Sequence, residues 1–388
     1  MQINYIINSN KKIDCKPQLM NLKDIENTFA FHQSIPGYNQ TPCTYLNDLA
    51  TYLGISSLCV KDESYRFGLN AFKILGVSYA ITREFLNSNL NYKNLIEVVK
   101  DKHINFFSAT DGNHGRALAH MANMLGKNST IYMPMNTTLN RLNHIKEENG
   151  FGQILPLNYD ECVSYAKEKS KENNGILIQD TTLDGYTRIP KNIMIGYTTI
   201  LMELKDQLKE LPTHIFLQAG VGSFAGSMIE GFSLLFPDYH PTYIIVEPKE
   251  AACYYKSAEK NDNKPHTVTG KMETIMNGLA CGKCSSLAFD IINSHTDVFL
   301  SCDDDVSALG TRVLSSPLGS DKRIISGESG SVCVGALMHI MKNNNLKDLK
   351  NKLNLDENTR VLCISTEGNT DPESYLNIVW NRKEDIYD

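Results

Sequence analysis

The chain of 388 residues contains no apolar run near the roughly 20 residues that a membrane-spanning helix needs. Its first residues, MQINYIINSNKKIDCK, carry no apolar stretch of the kind found in a secretory signal peptide. It also lacks an excess of positive charge, since 38 Lys and Arg stand against 44 Asp and Glu and give a formal net charge of -6. These absences predict a cytoplasmic protein that binds neither membranes nor nucleic acids.

The ten cysteines show neither a disulfide framework nor a set of metal ligands. Cys281 and Cys284, in CGKC, have the spacing of metal ligands, but a structural zinc site usually needs four. The chain has no second CxxC and no suitably spaced histidine pair. We therefore predict that this region binds no metal and that its thiols are reduced. A disulfide involving this region is the alternative.

Short apolar runs alternate with helical patterns along most of the chain, which is typical of parallel βαβ units. Continuous apolar runs such as THIFLQA suit a sheet that is buried on both faces. The length suits two domains, and the polar stretch 259–274 is predicted to be a surface loop. The predicted strands lie at 57–62, 104–109, 129–133, 153–157, 175–180, 213–219, 242–247 and 361–366, and the predicted helices at 113–126, 137–149, 159–173, 190–209 and 223–235.

One strand-to-helix junction reads SATDGNHGRALAHMANMLG, at 108–126. A helix N-terminus presents unpaired N–H groups and a partial positive charge, and the glycines let an anion approach the backbone. This pattern predicts a carboxylate or phosphate site, yet Asp111 is an anion placed inside it. Asp111 has a second interpretation as the N-cap of the helix, because Asp is favoured there. His114 is expected to orient the loop.

A second junction reads LQAGVGSFAGS, at 217–227, and also fits an anion. Its GxGxxxG spacing departs from the dinucleotide fingerprint, and it is not the GxxxxGK[ST] loop of nucleoside triphosphate sites. A single phosphate monoester fits best.

Lys73 stands among apolar residues in FKILG, within a helical pattern. An arbitrary lysine in such a place usually extends its ammonium to solvent. A lysine held in apolar surroundings instead has a lowered pKa and is a nucleophilic amine. An amine together with a monophosphate loop is what pyridoxal phosphate requires.

Six segments in this order resemble the fold-type II pyridoxal-phosphate enzymes, a group that includes serine and threonine dehydratases, threonine synthase and tryptophan synthase β. Within the group the chain is most similar to the diaminopropionate ammonia-lyases. The segments are DESYRFGLNAFKILG (62–76), SATDGNHGRALA (108–119), QDTTLDGYTRIP (179–190), LQAGVGSFAGS (217–227), ETIMNGLACG (273–282) and STEGNTDPESY (365–375).

The resemblance implies two α/β domains with parallel sheets, as in tryptophan synthase β, and pyridoxal 5'-phosphate in the cleft between them. A small mobile substrate domain, 80–187, is inserted into a large cofactor-binding domain formed by 1–79 and 188–388. The resemblance also implies a homodimer.

The resemblance also implies roles for single residues. Lys73 forms the Schiff base, Asn113 bonds the phenolic oxygen of the cofactor, and Thr366 faces the pyridine nitrogen. Glu367 stands where relatives have glycine, so Ser365 remains an alternative to Thr366. A hydroxyl opposite this nitrogen suits elimination better than transamination. The phosphate is expected on the backbone of Gly220, Val221, Gly222, Ser223 and Phe224.

Asp111 would repel a substrate carboxylate unless something offsets its charge, and a second, cationic amine on the substrate would do so. The chain is therefore predicted to eliminate ammonia from 2,3-diaminopropionate, of both D and L configuration, giving pyruvate and two ammonia. Lys73 and Asp111 would remove the Cα proton from opposite faces, and Asp111 or Asp180 would assist the leaving amine. Thr110, Asp111 and Asp180 are expected to contact this small amino-acid substrate. Asp180 could instead end a strand or pair with Arg188.

Three alternatives remain. A serine or threonine dehydratase of the same fold would release a neutral hydroxyl, which needs no partner such as Asp111. A binding or regulatory protein would not need Lys73 beside two anion loops. A nucleotide-binding oxidoreductase is disfavoured by the glycine spacing.

Overall fold

The computed structural model describes residues 1–12, 19–135 and 137–381. The strands are β1 Ile3–Ile7, β2 Cys43–Tyr45, β3 Ser57–Asp62, β4 Asn105–Ala109, β5 Asn128–Met133, β6 Phe151–Ile154, β7 Ile176–Leu177, β8 His214–Gln218, β9 Thr242–Pro248, β10 Val298–Cys302 and β11 Arg360–Ser365. The α-helices are α1 Leu22–Gln33, α2 Asn47–Leu53, α3 Ile74–Phe85, α4 Tyr92–Val99, α5 Asn113–Met124, α6 Leu139–Glu147, α7 Tyr159–Glu172, α8 Arg188–Tyr197, α9 Thr199–Gln207, α10 Ser223–Leu235, α11 Cys253–Lys260, α12 Ser286–His295, α13 Asp304–Ser315, α14 Glu328–Lys342, α15 Lys347–Lys352 and α16 Pro372–Leu376. Across these ranges, no helix is both long enough and apolar enough to cross a membrane.

The strands form two sheets. The larger sheet has the order β1-β10-β9-β8-β11-β3-β2, and its five central strands are parallel while β1 and β2 add to its edges in antiparallel orientation. The smaller sheet has the order β6-β5-β4-β7 and is parallel throughout. Parallel strands of this kind need helices on both faces, which explains the continuous apolar runs in the sequence.

The predicted domain limits place every strand of the larger sheet in one unit and every strand of the smaller sheet in the other. The second limit coincides with the start of α8 at Arg188, whereas the first falls inside α3. The limits themselves stay a prediction.

The eight predicted strands are present, and strand 57–62 and helix 223–235 have the predicted bounds. Two strands are displaced or shortened: 153–157 appears as Phe151–Ile154, and 175–180 as Ile176–Leu177. The single predicted helix 190–209 is two helices that meet at Thr198, whose N–H bonds to Ile195 O. Strands β1, β2 and β10 were not predicted, because β1 and β2 are half-buried edge strands and β10 has only three consecutive apolar residues. In 259–274, α11 continues to Lys260 and most later residues are exposed.

The cysteines form one cross-strand pair rather than a framework. A disulfide joins Cys43 of β2 to Cys59 of β3, with a Cα–Cα distance of 6.5 Å. Cys281 is buried, Cys284 is half-buried, and both are free. Cys15 lies outside the described residues, and within them no group of His, Cys, Asp and Glu could hold a metal ion.

Helices α3 and α8, which stand at the two junctions between the sheets, cross at two glycines. A Cβ at Gly76 would lie 2.6 Å from the Tyr197 ring, and a Cβ at Gly196 would lie 2.5 Å from Leu75 O. Contacts this short force a shift of the neighbouring atoms, so only glycine lets the helices approach this closely. The crossing fixes the start of α3, directly after Lys73.

A buried cluster of charges holds the segment between β3 and Lys73. Glu203 on α9 accepts hydrogen bonds from Lys61 Nζ at 2.6 Å and from Arg66 Nη1 at 2.7 Å, and Arg66 also pairs with Glu63 at 2.8 Å. All four side chains are fully buried. Burial disfavours the Glu203 carboxylate, but the two cations outweigh it and lower its pKa to about 2. Removing one partner from such a cluster leaves buried charge uncompensated.

Replacing Glu203 with glutamine should lower the free energy of unfolding by about 3–5 kcal/mol near neutral pH, since Lys61 would lose its anionic partner. The difference from the wild type should shrink as the pH falls from about 4.5 toward 2, because the native carboxylate is then protonated as well. Urea unfolding at several pH values measures this. Asp348→Ala, which removes an exposed ion pair with Lys352, is the control and should change stability little. An equally small effect of Glu203→Gln would contradict the assignment.

Candidate active site

A cavity of about 420 Å³ opens where strands of both sheets reach their carboxyl ends. This is where parallel sheets place their ligands. The larger sheet contributes Lys73, the loop after β8 and Thr366, while the smaller sheet contributes Asp111 and Asp180. The volume suits a cofactor with a small substrate.

The glycine loop forms one wall. Gly220, Val221, Gly222, Ser223 and Phe224 all line the cavity, and α10 begins at Ser223. Gly222 has φ +91°, and a Cβ there would overlap the Tyr254 hydroxyl. In the part of the chain that the structure describes, no side chain caps α10, so its first N–H groups are free to bind an anion.

Lys73 is paired with Asp180 across the cavity. Lys73 Nζ donates to Asp180 Oδ2 at 2.6 Å, and Tyr159 Oη lies 3.4 Å from Asp180 Oδ1. Burial disfavours the Lys73 ammonium, but the attraction of Asp180 outweighs it and raises the pKa of Lys73. The predicted lowering of the Lys73 pKa is therefore wrong for the free lysine, because no local sequence pattern marks Asp180 as its partner. Arg188 pairs instead with Glu84, so the alternative partner for Asp180 is also wrong.

The carboxylate of Asp180 stays ionised in this pair. Burial would raise its pKa, but Lys73 and His114 outweigh burial and hold the pKa of Asp180 below its ordinary value. Ser223 Oγ donates to the Asp180 carbonyl at 2.6 Å, which ties the strand end to the glycine loop. Asp180 therefore presents a negative charge at a fixed place on the cavity.

Asp111 also lines the cavity, and it has a cationic partner of its own. Arg141 Nη1, from α6, lies 3.1 Å from Asp111 Oδ2 and 3.3 Å from the Asp111 carbonyl. Asp111 is not the N-cap, because α5 begins at Asn113 and its N-cap is Gly112. The capping interpretation is therefore wrong, and Arg141 already offsets the Asp111 charge before any substrate amine is present.

Asn113, the first residue of α5, faces the cavity and contacts the larger sheet. Its Nδ2 donates to Glu367 Oε2 at 2.5 Å, and Glu367 Oε1 accepts from Ser329 N at 3.2 Å. Glu367 is the residue that stands in place of the glycine of relatives. It therefore links the first turn of α5 to the end of β11.

Thr366 lines the cavity, whereas Ser365 does not. Ser365 Oγ is fully buried and lies 2.8 Å from Ser326 Oγ. Thr366 Oγ1 accepts a hydrogen bond from Gln218 Nε2 at 2.9 Å. Its own hydroxyl hydrogen is therefore available to another acceptor in the cavity.

Two residues named from the sequence lie behind the cavity wall. Thr110 is buried, and its Oγ1 accepts from Gly112 N at 2.9 Å, so its side chain shapes the loop rather than lining the cavity. His114 Nε2 lies 2.8 Å from Ile178 O, and burial lowers the pKa of this histidine. Its position fits the predicted orienting role.

The sequence did not single out Arg141, Tyr159 or Gln218, which all line the cavity. Arg141 and Tyr159 lie in polar helical segments that resemble solvated surface, and no local pattern distinguishes them. Gln218 ends an apolar run directly before the glycine loop, and that position is a usable signal because such strand ends meet the site.

These features fit pyridoxal phosphate. The uncapped N-terminus of α10 suits the phosphate, Lys73 supplies an amine on the same cavity, and Thr366 holds a hydroxyl with a hydrogen to donate. Asn113 has a second amide hydrogen beyond the one given to Glu367.

Replacing Gly222 with alanine should weaken pyridoxal phosphate binding at least about tenfold, since the residue has a positive φ and no room for a Cβ. Titration of the apoenzyme with the cofactor, followed by visible absorption, measures this. Gly54→Ala is the matched control, because Gly54 has φ +73° but open space around its Cβ position. Wild-type affinity in the Gly222 variant would rule out the loop as the phosphate site.

Comparisons with known proteins agree with this geometry. Residues 35–367 match the family model described as pyridoxal-phosphate dependent enzyme. A diaminopropionate ammonia-lyase of Salmonella typhimurium is 45% identical in an alignment of 368 positions that covers 91% of each chain. The crystal structure of holo diaminopropionate ammonia lyase from Escherichia coli superposes with a TM-score of 0.91 and 38% identity, over 99% of this chain and 98% of that one. A second structure of the E. coli enzyme, described as a complex with an aminoacrylate-PLP azomethine reaction intermediate, superposes with a TM-score of 0.89, 38% identity and the same coverage.

The predicted resemblance, fold class, enzyme class and cofactor are thereby confirmed. The chain belongs to the pyridoxal-phosphate dependent enzymes, in the branch that holds the diaminopropionate ammonia-lyases.

Proposed function

We propose that this chain eliminates ammonia from D- and L-2,3-diaminopropionate and forms pyruvate and two ammonia. The observation that carries the proposal is a single cavity in which Lys73, Asp111 and Asp180 meet beside the glycine loop. The kinship with diaminopropionate ammonia-lyases over nine-tenths of the chain supports it.

The cofactor contacts are proposed residue by residue. Lys73 would hold pyridoxal phosphate, which would supply the electron-withdrawing group that makes the Cα proton of a bound amino acid removable. The N–H groups of Gly220 to Phe224 hold the phosphate, and Asn113 donates to the phenolic oxygen. Thr366 donates its hydroxyl hydrogen to the pyridine nitrogen, a role supported by the hydrogen bond it receives from Gln218. Such a donor leaves that nitrogen unprotonated, which favours elimination over transamination.

Two bases on the cavity explain how both enantiomers react. The enantiomers present their Cα protons to opposite faces of the bound substrate, so each needs its own base. Lys73 serves one face and Asp111 the other. Their placement on one cavity supports this division, and the first backbone N–H groups of α5 hold the substrate carboxylate.

Asp180 is the residue that we assign to interact with the leaving amine of the substrate. Asp111 already has Arg141 as its partner, whereas Asp180 is paired with Lys73, the residue that binds the cofactor. Once Lys73 is engaged, the Asp180 carboxylate is the anion that keeps the substrate's second amine protonated. Burial raises the pKa of Tyr159 well above its ordinary value, so Tyr159 stays a neutral donor that orients Asp180.

The cytoplasmic location and the homodimer expected from the sequence are also parts of this proposal. Seven described cysteines are free, which suits a reducing compartment although Cys43 and Cys59 are joined. The dimer is supported by the family resemblance, and sedimentation of the holoenzyme tests it.

The purified holoenzyme should release pyruvate from both enantiomers of 2,3-diaminopropionate, with two ammonia for each pyruvate. Coupled pyruvate and ammonia assays measure this, with D-serine, L-serine and L-threonine run alongside. Borohydride should remove the visible absorption of the lysine-bound cofactor. If only the hydroxy amino acids are turned over, the chain is a dehydratase. If no visible absorption appears after the cofactor is added, Lys73 does not form a Schiff base with it.

Asp111→Asn should keep the cofactor yet lose about 100-fold or more in turnover of one enantiomer, because the other still has Lys73 as its base. Asp180→Asn should slow both enantiomers, since they share the leaving amine. Steady-state rates with each enantiomer measure this. Asp160→Asn is the control, because Asp160 lies on the same helix as Tyr159 but does not line the cavity. Wild-type rates for both enantiomers in Asp111→Asn would refute the role of Asp111.

A further inference from the structure

Asp111 lies beside the N-terminus of α5, where an anionic group of a ligand is expected to bind. The Asp111 carboxylate and a neighbouring ligand anion repel each other strongly unless a cation compensates one of them. Arg141 is in place to do so, since its Nη1 contacts both the carboxylate and the carbonyl of Asp111. The Arg141 side chain is only 4% exposed and that of Asp111 is 23% exposed, so solvent screens the pair less than it screens a surface pair.

Packing fixes the guanidinium of Arg141 against this loop. Gly112 has φ +153°, and a Cβ there would lie 3.2 Å from Arg141 Cδ. The glycine therefore lets the arginine stem lie directly on the loop backbone.

The charges around Arg141 come from both sheets. Burial disfavours the cation, but Asp111 outweighs it together with Glu367, Glu328 and Asp371, and the pKa of Arg141 is raised. Asp111 in turn interacts electrostatically with Lys73, His114, Tyr159 and Cys281. The guanidinium thus stays charged beside Asp111 under all ordinary conditions.

Arg141 retains this position at a cost. Its Nε is buried and has no hydrogen-bond partner among the residues that the structure describes. An unpaired buried donor destabilises a protein. The ion pair with Asp111 offsets this destabilisation and so stabilises the side chain in this position.

We propose that Arg141 neutralises and orients Asp111, so that the carboxylate of an amino-acid substrate can bind at the start of α5. The inference rests on the proposed function, which places an amino acid in this cavity. Arg141 is a positioning residue, because it acts through Asp111. The compensating charge therefore comes from the protein itself, and recognition of the second amine falls to Asp180.

The test is a double-mutant comparison with D- and L-2,3-diaminopropionate as substrates. Arg141→Met should raise the KM of both enantiomers at least about fivefold, since Asp111 then repels the substrate carboxylate. Its kcat should fall for the enantiomer that Asp111→Asn also impairs. The variant Asp111→Asn with Arg141→Met should return the KM of the other enantiomer to the wild-type value, because both charges are gone. A purely structural role of Arg141 would not give this rescue.

Two single variants complete the comparison. Arg141→Lys keeps the charge and should hold KM near the wild-type value. Arg116→Met is the matched control, because Arg116 also pairs with a carboxylate, Glu148, and also contacts the larger unit through Leu69 O, but does not line the cavity.

A raised KM that persists in the double variant overturns the proposal, as does an unchanged KM in Arg141→Met. Wild-type rates of Asp111→Asn with both enantiomers would remove Asp111 as a base, and the KM comparison would still decide whether Arg141 compensates its charge. If Arg141→Met does not fold, the same KM comparison is made between Arg141→Gln alone and Arg141→Gln combined with Asp111→Asn.

Discussion

The ion pair between Lys73 and Asp180, 2.6 Å apart, joins the two sheets at the cavity. Lys73 follows β3 of the larger sheet, and Asp180 follows β7 of the smaller one. The Asp180 carbonyl also accepts from Ser223 at the start of α10. One residue thereby sets the distance between the lysine, the glycine loop and the end of a strand in the other unit.

Asp180 and Asp111, two of the carboxylates on the cavity, each have a cationic partner of their own. Asp180 is paired with Lys73, a group that binding of the cofactor engages, while Asp111 is paired with Arg141, which remains charged throughout. The two carboxylates therefore differ in what they offer a substrate, although both follow strands of the same sheet. This difference arises from their partners, because a neighbouring opposite charge favours the ionised form of an acid.

Much of the fold could be predicted from the sequence, because buried parallel strands and glycine-rich helix starts are local patterns. The glycine loop, Asn113 and Lys73 all line the cavity as the motifs indicated. The charge states could not be predicted, since they depend on partners far along the chain. Asp180 is 107 residues from Lys73, and Arg141 is 30 residues from Asp111. Partners this far apart in sequence produce no local spacing pattern. The hydrogen bond between Glu367 and Asn113 likewise appears only in the folded structure.

The crossing of α3 and α8 at Gly76 and Gly196 has a consequence for how this chain can vary during evolution. Each glycine faces atoms of the other helix, so a larger residue at either position meets backbone or ring atoms that cannot move alone. A substitution at one position is tolerated only when the opposite helix shifts, and that shift would reach Lys73 one turn earlier on the chain. Substitutions at these two sites would therefore act on the position of the reactive lysine although neither glycine lines the cavity.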